Sequence, residues 1–141
     1  MDDGLRRFGV EAYERWTAMW NGETGLAAEI MAPEFTLRYA QAGTEAFDEA
    51  RVPQQLAALI AGWHGRRPGL RFRSEGVAVV DLALVDGLPS GLVARPYLAE
   101  FTDESGGTVA RSGTDTLRIT AGRISEVWSV SSGAAGRTFY R

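Results

Sequence analysis

The sequence predicts an α+β domain: helices first, then a meander of long strands curled into a cone-shaped, mostly antiparallel sheet. Three observations carry this. Apolar residues recur every three or four positions up to Trp20 and again from Leu56 to Trp63, then alternate from Leu70 onward. Turn signals such as Asp86-Gly87 and Ala121-Gly122 punctuate the second half at strand-length intervals. No linker, internal repeat or low-complexity block parts the two halves, so helices and strands must share one core. A sheet that buries one face on a few helices has to curl, and the cone so formed offers a pocket at its open end.

Each element has a local reason. Leu5, Phe8, Ala12, Tyr13, Trp16, Met19 and Trp20 make one stripe of an amphipathic helix that closes near Asn21-Gly22. Thr24 is a good N-cap for a second, short helix, which must stop before Pro33. Phe35, Leu37 and Tyr39 alternate with Thr36 and Arg38, the period of a strand. Pro53 suits the first turn of a third helix carrying Leu56, Leu59, Ile60 and Trp63, and His64-Gly65 ends it. Strands follow over 70–81, 92–102, 108–120 and 123–132, with turns at 86–90, 103–107 and 121–122. One domain therefore spans 1–132. Residues 133–141 read as a loose tail in which Phe139 and Tyr140 could dock.

Composition excludes several functions. At 141 residues, one domain is expected, burying roughly 68–70% of its unfolded surface. A net charge of −3 argues against a nucleic-acid partner, which selects a clustered basic face. No run of about 18 apolar residues is present to span a membrane. The charged start, Met1-Asp-Asp-Gly-Leu-Arg-Arg, lacks a signal core and points to the cytoplasm. With no cysteine and one histidine, a thiol nucleophile and a multi-histidine metal site are ruled out, and neither metal nor cofactor is expected. All 15 basic residues are arginine, so lysine Schiff-base chemistry is excluded too; Arg without Lys beside much Ala and Gly is typical of GC-rich bacterial coding.

One strand places a charge where the pattern asks for an apolar side chain. Val109, Arg111, Gly113, Asp115, Leu117 and Ile119 share a face; Ala110, Ser112, Thr114, Thr116, Arg118 and Thr120 share the other, which is polar and should meet water. Asp115 then points inward, at a cost of several kcal/mol unless it is paired, hydrogen-bonded or set in a wet cavity. It is either half of a structural ion pair with Arg111 or Arg95, or a pocket acid. Desolvation would raise its pKa and a neighbouring arginine would lower it.

Other candidates stand beside plainer roles. Tyr13 lies on the buried helix stripe, where a core tyrosine satisfies its hydroxyl on backbone. His64 could shuttle protons or cap helix carbonyls. Arg95 and Tyr97 share a face with Val93 and Phe101, unless Pro96 introduces a bulge that turns Arg95 outward. Glu126 alternates in phase with Ile124, Trp128 and Val130, facing inward. Trp16, Trp20, Tyr39, Trp63, Tyr97, Phe101 and Trp128 take inward positions, mostly as core, with several left to line an apolar cavity that suits a flat or polycyclic ligand.

The chain resembles the nuclear transport factor 2-like superfamily and, within it, the SnoaL-like proteins. The resemblance rests on Tyr13-Glu-Arg-Trp-Thr-Ala-Met-Trp-Asn-Gly22, on Met31-Ala-Pro-Glu-Phe35, and on the hairpin Gly113-Thr-Asp-Thr-Leu-Arg-Ile-Thr-Ala-Gly-Arg-Ile-Ser-Glu-Val-Trp128, and it covers roughly residues 5 to 132. It implies a strand carboxylate at Asp115 as acid–base, tuned by Arg95 or Arg111, and a cofactor-independent cyclase or isomerase acting on a polyketide-type or other polycyclic metabolite. Resemblance to ketosteroid isomerase-like members implies Tyr13 as an oxyanion donor, a role His64 could share, although the first strand carries Arg38 and Tyr39 where those members keep a base. Resemblance to limonene epoxide hydrolase-like members implies an Arg95, Asp115 and Glu126 set for opening an epoxide. A non-catalytic binding module is the third alternative. The expected partner is a small hydrophobic metabolite, and related folds commonly form homodimers through the outer face of the sheet.

Overall fold

The computed structural model describes residues 1–133 and 136–139. Helix α1, Asp3–Trp20, is capped by Asp2, whose Oδ1 accepts from the Leu5 N–H at 2.8 Å. The helix buries Tyr13, Trp16, Met19 and Trp20, as its stripe requires. Gly9 lets it lie close to the sheet, since a Cβ there would run into the Val80 side chain. The second helix is a 3-10 turn, Thr24–Leu26, running into α2, Ala27–Ile30. Helix α3, Pro53–Arg66, begins on its proline and turns Leu56 and Ile60 into the core.

Six strands complete the domain: β1 Met31–Tyr39, β2 Arg71–Ser74, β3 Val79–Val85, β4 Leu88–Thr102, β5 Thr108–Thr120 and β6 Arg123–Ser131. The sheet order is β1-β6-β5-β4-β2, with β3 also pairing with β4. Every pairing is antiparallel except β1 with β6. This is an α+β cone: helices on the inner face of a curved, mostly antiparallel sheet. Val93, Leu117, Ile119, Ile124 and Val127 from the sheet meet Trp16, Met19, Leu56 and Ile60 from the helices in one core. No helix is long and apolar enough to cross a membrane among the described residues.

Four local readings change. The strand expected over 70–81 is two strands, because the 15-residue β4 is long enough to pair with both. Between them the chain folds around Arg95 and Pro96: Glu75 N–H donates to the Pro96 carbonyl at 2.9 Å, and Gly76 takes a φ of 61°. The strand β4 also starts at Leu88, so Asp86-Gly87 alone makes the turn. A 3-10 turn at Glu45–Glu49, which has no helical stripe to announce it, delivers Phe47 to the core. Finally, Ser112 belongs to the polar face of β5 yet is fully buried. The tail covers it: the Phe139 N–H donates to Ser112 Oγ at 3.0 Å. The Phe139 ring stays exposed, so the tail docks there through backbone; Tyr140 lies outside the described residues.

Candidate functional site

A cavity of about 350 Å³ lies inside the cone, within the size range of small-molecule sites. Buried Tyr13, Trp16, Trp20, Tyr97, Asp115 and Ser129 form its floor. Ala42, Gly43, Trp63, Arg67, Phe101 and Arg111 line it too and keep some exposure, which marks the open end.

Asp115 sits where the alternation of β5 puts it, on the inner face with Leu117 and Ile119. Its Oδ2 accepts a 2.9 Å hydrogen bond from the Trp16 indole N–H, and Oδ1 has no hydrogen-bond partner. Burial raises its pKa from 3.8 to about 6; the Ser129 hydroxyl and the Trp16 N–H pull it partly back. Ser129 faces Asp115 across the β5–β6 pair and also lies against the Tyr97 hydroxyl. Tyr97 in turn crosses Gly113, its partner on β5, where any Cβ would meet the phenol ring. Glycine two residues before Asp115 therefore admits the tyrosine that walls the site.

Among the described residues no arginine pairs with Asp115. Arg95 is its direct neighbour across the β4–β5 ladder, but the guanidinium turns to the chain break between β2 and β3, donating to the carbonyls of Gly76 at 2.7 Å and Glu75 at 3.2 Å. Arg111 lines the cavity and donates to the Ala110 carbonyl at 2.8 Å. The uncompensated burial is why the carboxyl titrates near 6 rather than below 4.

Tyr13 lines the cavity, and its hydroxyl donates to the Arg95 carbonyl at 2.8 Å. Burial first, then the Asp115 charge, pushes its pKa well up, so it stays a phenol. His64 lies apart from the cavity: Nε2 is 2.6 Å from the Trp20 carbonyl, which can only accept, so that nitrogen carries the proton. It caps the end of α1 rather than its own helix.

Glu126 and Trp128 are on the outer face, contrary to their expected inward phase. A bulge between Arg118 and Ile119 of β5 and the facing residues of β6 is the reason: Ile119 pairs with Ile124 but Arg118 with Glu126, leaving Ser125 extra. After it Val127 and Ser129 point inward. Glu126 instead accepts from Arg38 Nε at 2.6 Å and Arg118 Nε at 3.1 Å, and these bonds lower its pKa. The Arg118 guanidinium lies 5.2 Å from the Trp128 ring.

The remaining expected residues, Trp16, Trp20, Tyr39, Trp63, Tyr97 and Phe101, all line the cavity. Trp20 touches Trp16, Tyr39, Phe47, Trp63 and Phe72, and Tyr39 stacks on Phe47 at 4.4 Å. Sequence reasoning missed Arg67, Phe72 and Ser129. Phe72 and Ser129 could have been found from strand alternation once the breaks in phase were known; Arg67, in the turn after α3, gave no periodic signal. Two buried donors on lining residues have no acceptor among the described residues: Trp20 Nε1 and Arg67 Nη1. Asp115 is the lone carboxylate lining the cavity among the described residues; the other polar groups are hydroxyls, the Gln41 amide, three indoles and two guanidinium groups. Such a set suits proton transfer at an organic ligand better than a multivalent cation, which takes several oxygen ligands.

The cone has counterparts among solved structures. A proposed SnoaL-like polyketide cyclase from Jannaschia sp. CCS1 matches 93% of this chain and 90% of its own at a TM-score of 0.66 and 15% identity. The fold is that of the SnoaL-like proteins. A proposed polyketide cyclase from Acidithiobacillus ferrooxidans covers 93% of this chain and 91% of its own, with a TM-score of 0.66 and 14% identity. IdmH, a proposed polyketide cyclase from Streptomyces antibioticus, covers 87% and 91% at 0.64 and 16%. No family model matches the sequence, and no curated protein does. At such identities the SnoaL-like likeness is one of fold.

Proposed function

We propose that this protein is a cofactor-independent cyclase or isomerase of the SnoaL-like family, in which Asp115 moves a proton on an apolar, oxygenated metabolite of polyketide type. The observation behind this reading is Asp115 itself: a buried carboxyl at the cavity floor, with one oxygen held by Trp16, the other unpartnered, and a pKa of about 6. At pH 7 it is about ten-to-one carboxylate, a base strengthened by desolvation. In the reaction we envisage, the carboxylate removes a proton from carbon beside a substrate carbonyl, the carbanion attacks a second carbonyl of the same molecule, and Asp115 returns the proton to the new alkoxide. Isomerisation would use the same two transfers with the proton returned to a different carbon. Tyr13 and His64 already donate to backbone carbonyls, which leaves the Trp20 N–H as the unengaged donor on a floor residue, suited to the developing oxyanion. The aromatic walls would hold a flexible chain in a reactive fold, an effect worth several kcal/mol.

Opening an epoxide needs a second cavity carboxylate to orient water, and Glu126 lies on the other face of the sheet. A passive binding module gives no use to a buried carboxylate with one oxygen left unpartnered and a raised pKa. The two are separated by deuterium uptake at the α-carbon of a bicyclic aryl ketone, 1-tetralone, in D₂O, followed by NMR. Wild-type protein should accelerate uptake and Asp115→Asn should not; equal rates with both proteins would overturn the acid–base reading.

We also propose a homodimer formed through the outer face of the sheet, where no helix covers Val79, Leu92 or Val130 and all three are exposed.

A further inference from the structure

Arg67 is a cation set against aromatic rings at the open end of the cavity, with no anion of its own. Its Cζ lies 3.8 Å from the centre of the Trp63 ring and 5.8 Å from that of Phe101. Among the described residues no carboxylate lies within ion-pair distance, and Nη1 is buried without an acceptor. Burial, and then the like charge of Arg66, lowers its pKa. Arg67 as a whole is only partly buried, but Nη1 is a buried donor on a cation, and leaving it without an acceptor is unfavourable in the free protein. Such a group persists where a ligand completes it. The Trp63 ring supports the guanidinium from one side at 3.8 Å, and a guanidinium held on an aromatic ring offers its fork of N–H donors to a planar, two-oxygen acceptor.

The charges lining the cavity say which acceptor. Arg67 and Arg111 stand at the open end and Asp115 at the floor. A substrate reaching from floor to opening would place its reacting carbon by Asp115 and its far end by Arg67. We infer that the substrate carries a carboxylate, seated on Arg67, at the end of the molecule remote from the carbon that Asp115 deprotonates. This rests on reading the cavity as the substrate site. It narrows the substrate class to aromatic or polyketide-type acids, and it gives Arg67 the part of a binding and orienting residue rather than a catalytic one.

The test is a binding measurement that needs no turnover. Quenching of tryptophan fluorescence at pH 7.5 would compare 2-naphthoate with 2-naphthamide, which share shape and differ in charge. Wild-type protein should bind the acid about 10-fold to 100-fold more tightly, the range expected for a charge-assisted hydrogen bond. Arg67→Gln keeps a planar group over Trp63 and should bring the ratio close to one, with an unchanged thermal melt showing that the fold is intact. Arg38→Gln removes the same charge from the outer face and should leave the ratio as it was. A wild-type ratio near one, no saturable binding of naphthoate, or a ratio untouched in Arg67→Gln would each overturn the inference. Failure of the acid–base reading would show separately, as deuterium uptake that survives in Asp115→Asn while the preference for the acid holds.

Discussion

The Trp16 indole N–H donates to Asp115 Oδ2 at 2.9 Å, joining α1 to β5 across 99 positions of sequence. Both residues are buried, so the bond forms in a medium that penalises any unpaired charge. It gives the carboxylate orientation without neutralising it, because an indole carries a dipole and no charge. A guanidinium in the same place would have held Asp115 ionised well below neutral pH. With Trp16 and Ser129 alone, the carboxyl keeps a pKa of about 6. Burial thus raises the proton affinity of the candidate base, Ser129 and Trp16 moderate it, and the indole also holds one carboxylate oxygen in place.

Replacing the acid by its amide separates charge from shape. In Asp115→Asn the Trp16 N–H still finds a carbonyl oxygen, and no arginine loses a partner. The variant should be more stable than wild type at pH 7, by up to about 3 kcal/mol, the equivalent of raising a carboxyl from 3.8 to about 6. Its catalysed proton transfer should fall about 10²–10⁴-fold. Chemical denaturation and the deuterium-uptake assay on one preparation check both numbers.

The same shift fixes a sign for pH dependence. Between pH 3.8 and about 6 the folded chain keeps a proton on Asp115 that the unfolded chain has released. The contribution of this group to stability is therefore fully present below 3.8 and is lost as pH rises through about 6. Activity should run the other way, rising tenfold per pH unit below about 6 and levelling above it, since the carboxylate is the active form. Denaturation midpoints of wild type minus Asp115→Asn, taken across this range, isolate the stability part. A pH–rate profile gives the other.

Tyr13 should prove structural. Its hydroxyl already donates to the Arg95 carbonyl, so Tyr13→Phe leaves a buried carbonyl short of a donor and should cost about 1–3 kcal/mol. Turnover should drop less than about tenfold, against the 10²–10³-fold expected on removing an oxyanion donor. Steady-state rates measured well below the melting temperature distinguish the two.

The inward acid was legible because β5 alternates without interruption from Val109 to Ile119, so period two alone aims Asp115 at the core. Its neighbours on β6 were not. The same alternation carried through Ser125 puts Glu126 and Trp128 inside, and only the bulge, a one-residue mismatch of two strands, turns them out. Nothing in a single strand records its partner's count. The expected Arg95–Asp115 pair fails for a related reason. The two residues do face each other across the ladder, but the break between β2 and β3 offers the guanidinium two carbonyls, and that break depends on how far β4 extends. Helix faces, by contrast, came straight from periodicity: Tyr13, Trp16 and Trp20 are buried as the stripe demands.

The outer face of the sheet carries the prediction on assembly. Val79, Leu92 and Val130 are exposed there around the Arg38–Glu126–Arg118 cluster. If two copies pair through this face, a charge at one exposed apolar position meets its own copy or an apolar neighbour, and either contact is unfavourable. Sedimentation should give a dimer for wild type at micromolar concentration and a monomer for Val130→Glu. The thermal melt of the variant should show no loss of tertiary structure, because Val130 is not part of the monomer core.

Trp16→Phe reaches the candidate base without touching it. The ring volume largely remains, but Asp115 loses the one hydrogen bond made to Oδ2, and the nearby Ser129 hydroxyl is left as the polar group that lowers its pKa. That bond lowers the pKa of the carboxyl, so its removal must raise it further. A hydrogen bond to a charged group is worth about 1.5–3 kcal/mol, or about one to two pKa units. The rising limb of the pH–rate profile should therefore move from about 6 to roughly 7–8. Activity at pH 6 should fall by about tenfold or more, while activity at pH 9 returns toward that of wild type. A merely structural tryptophan would lower the rate by the same factor at every pH and leave the limb in place. The displacement of the profile, rather than the loss of rate, is the signature that Trp16 lowers the proton affinity of Asp115.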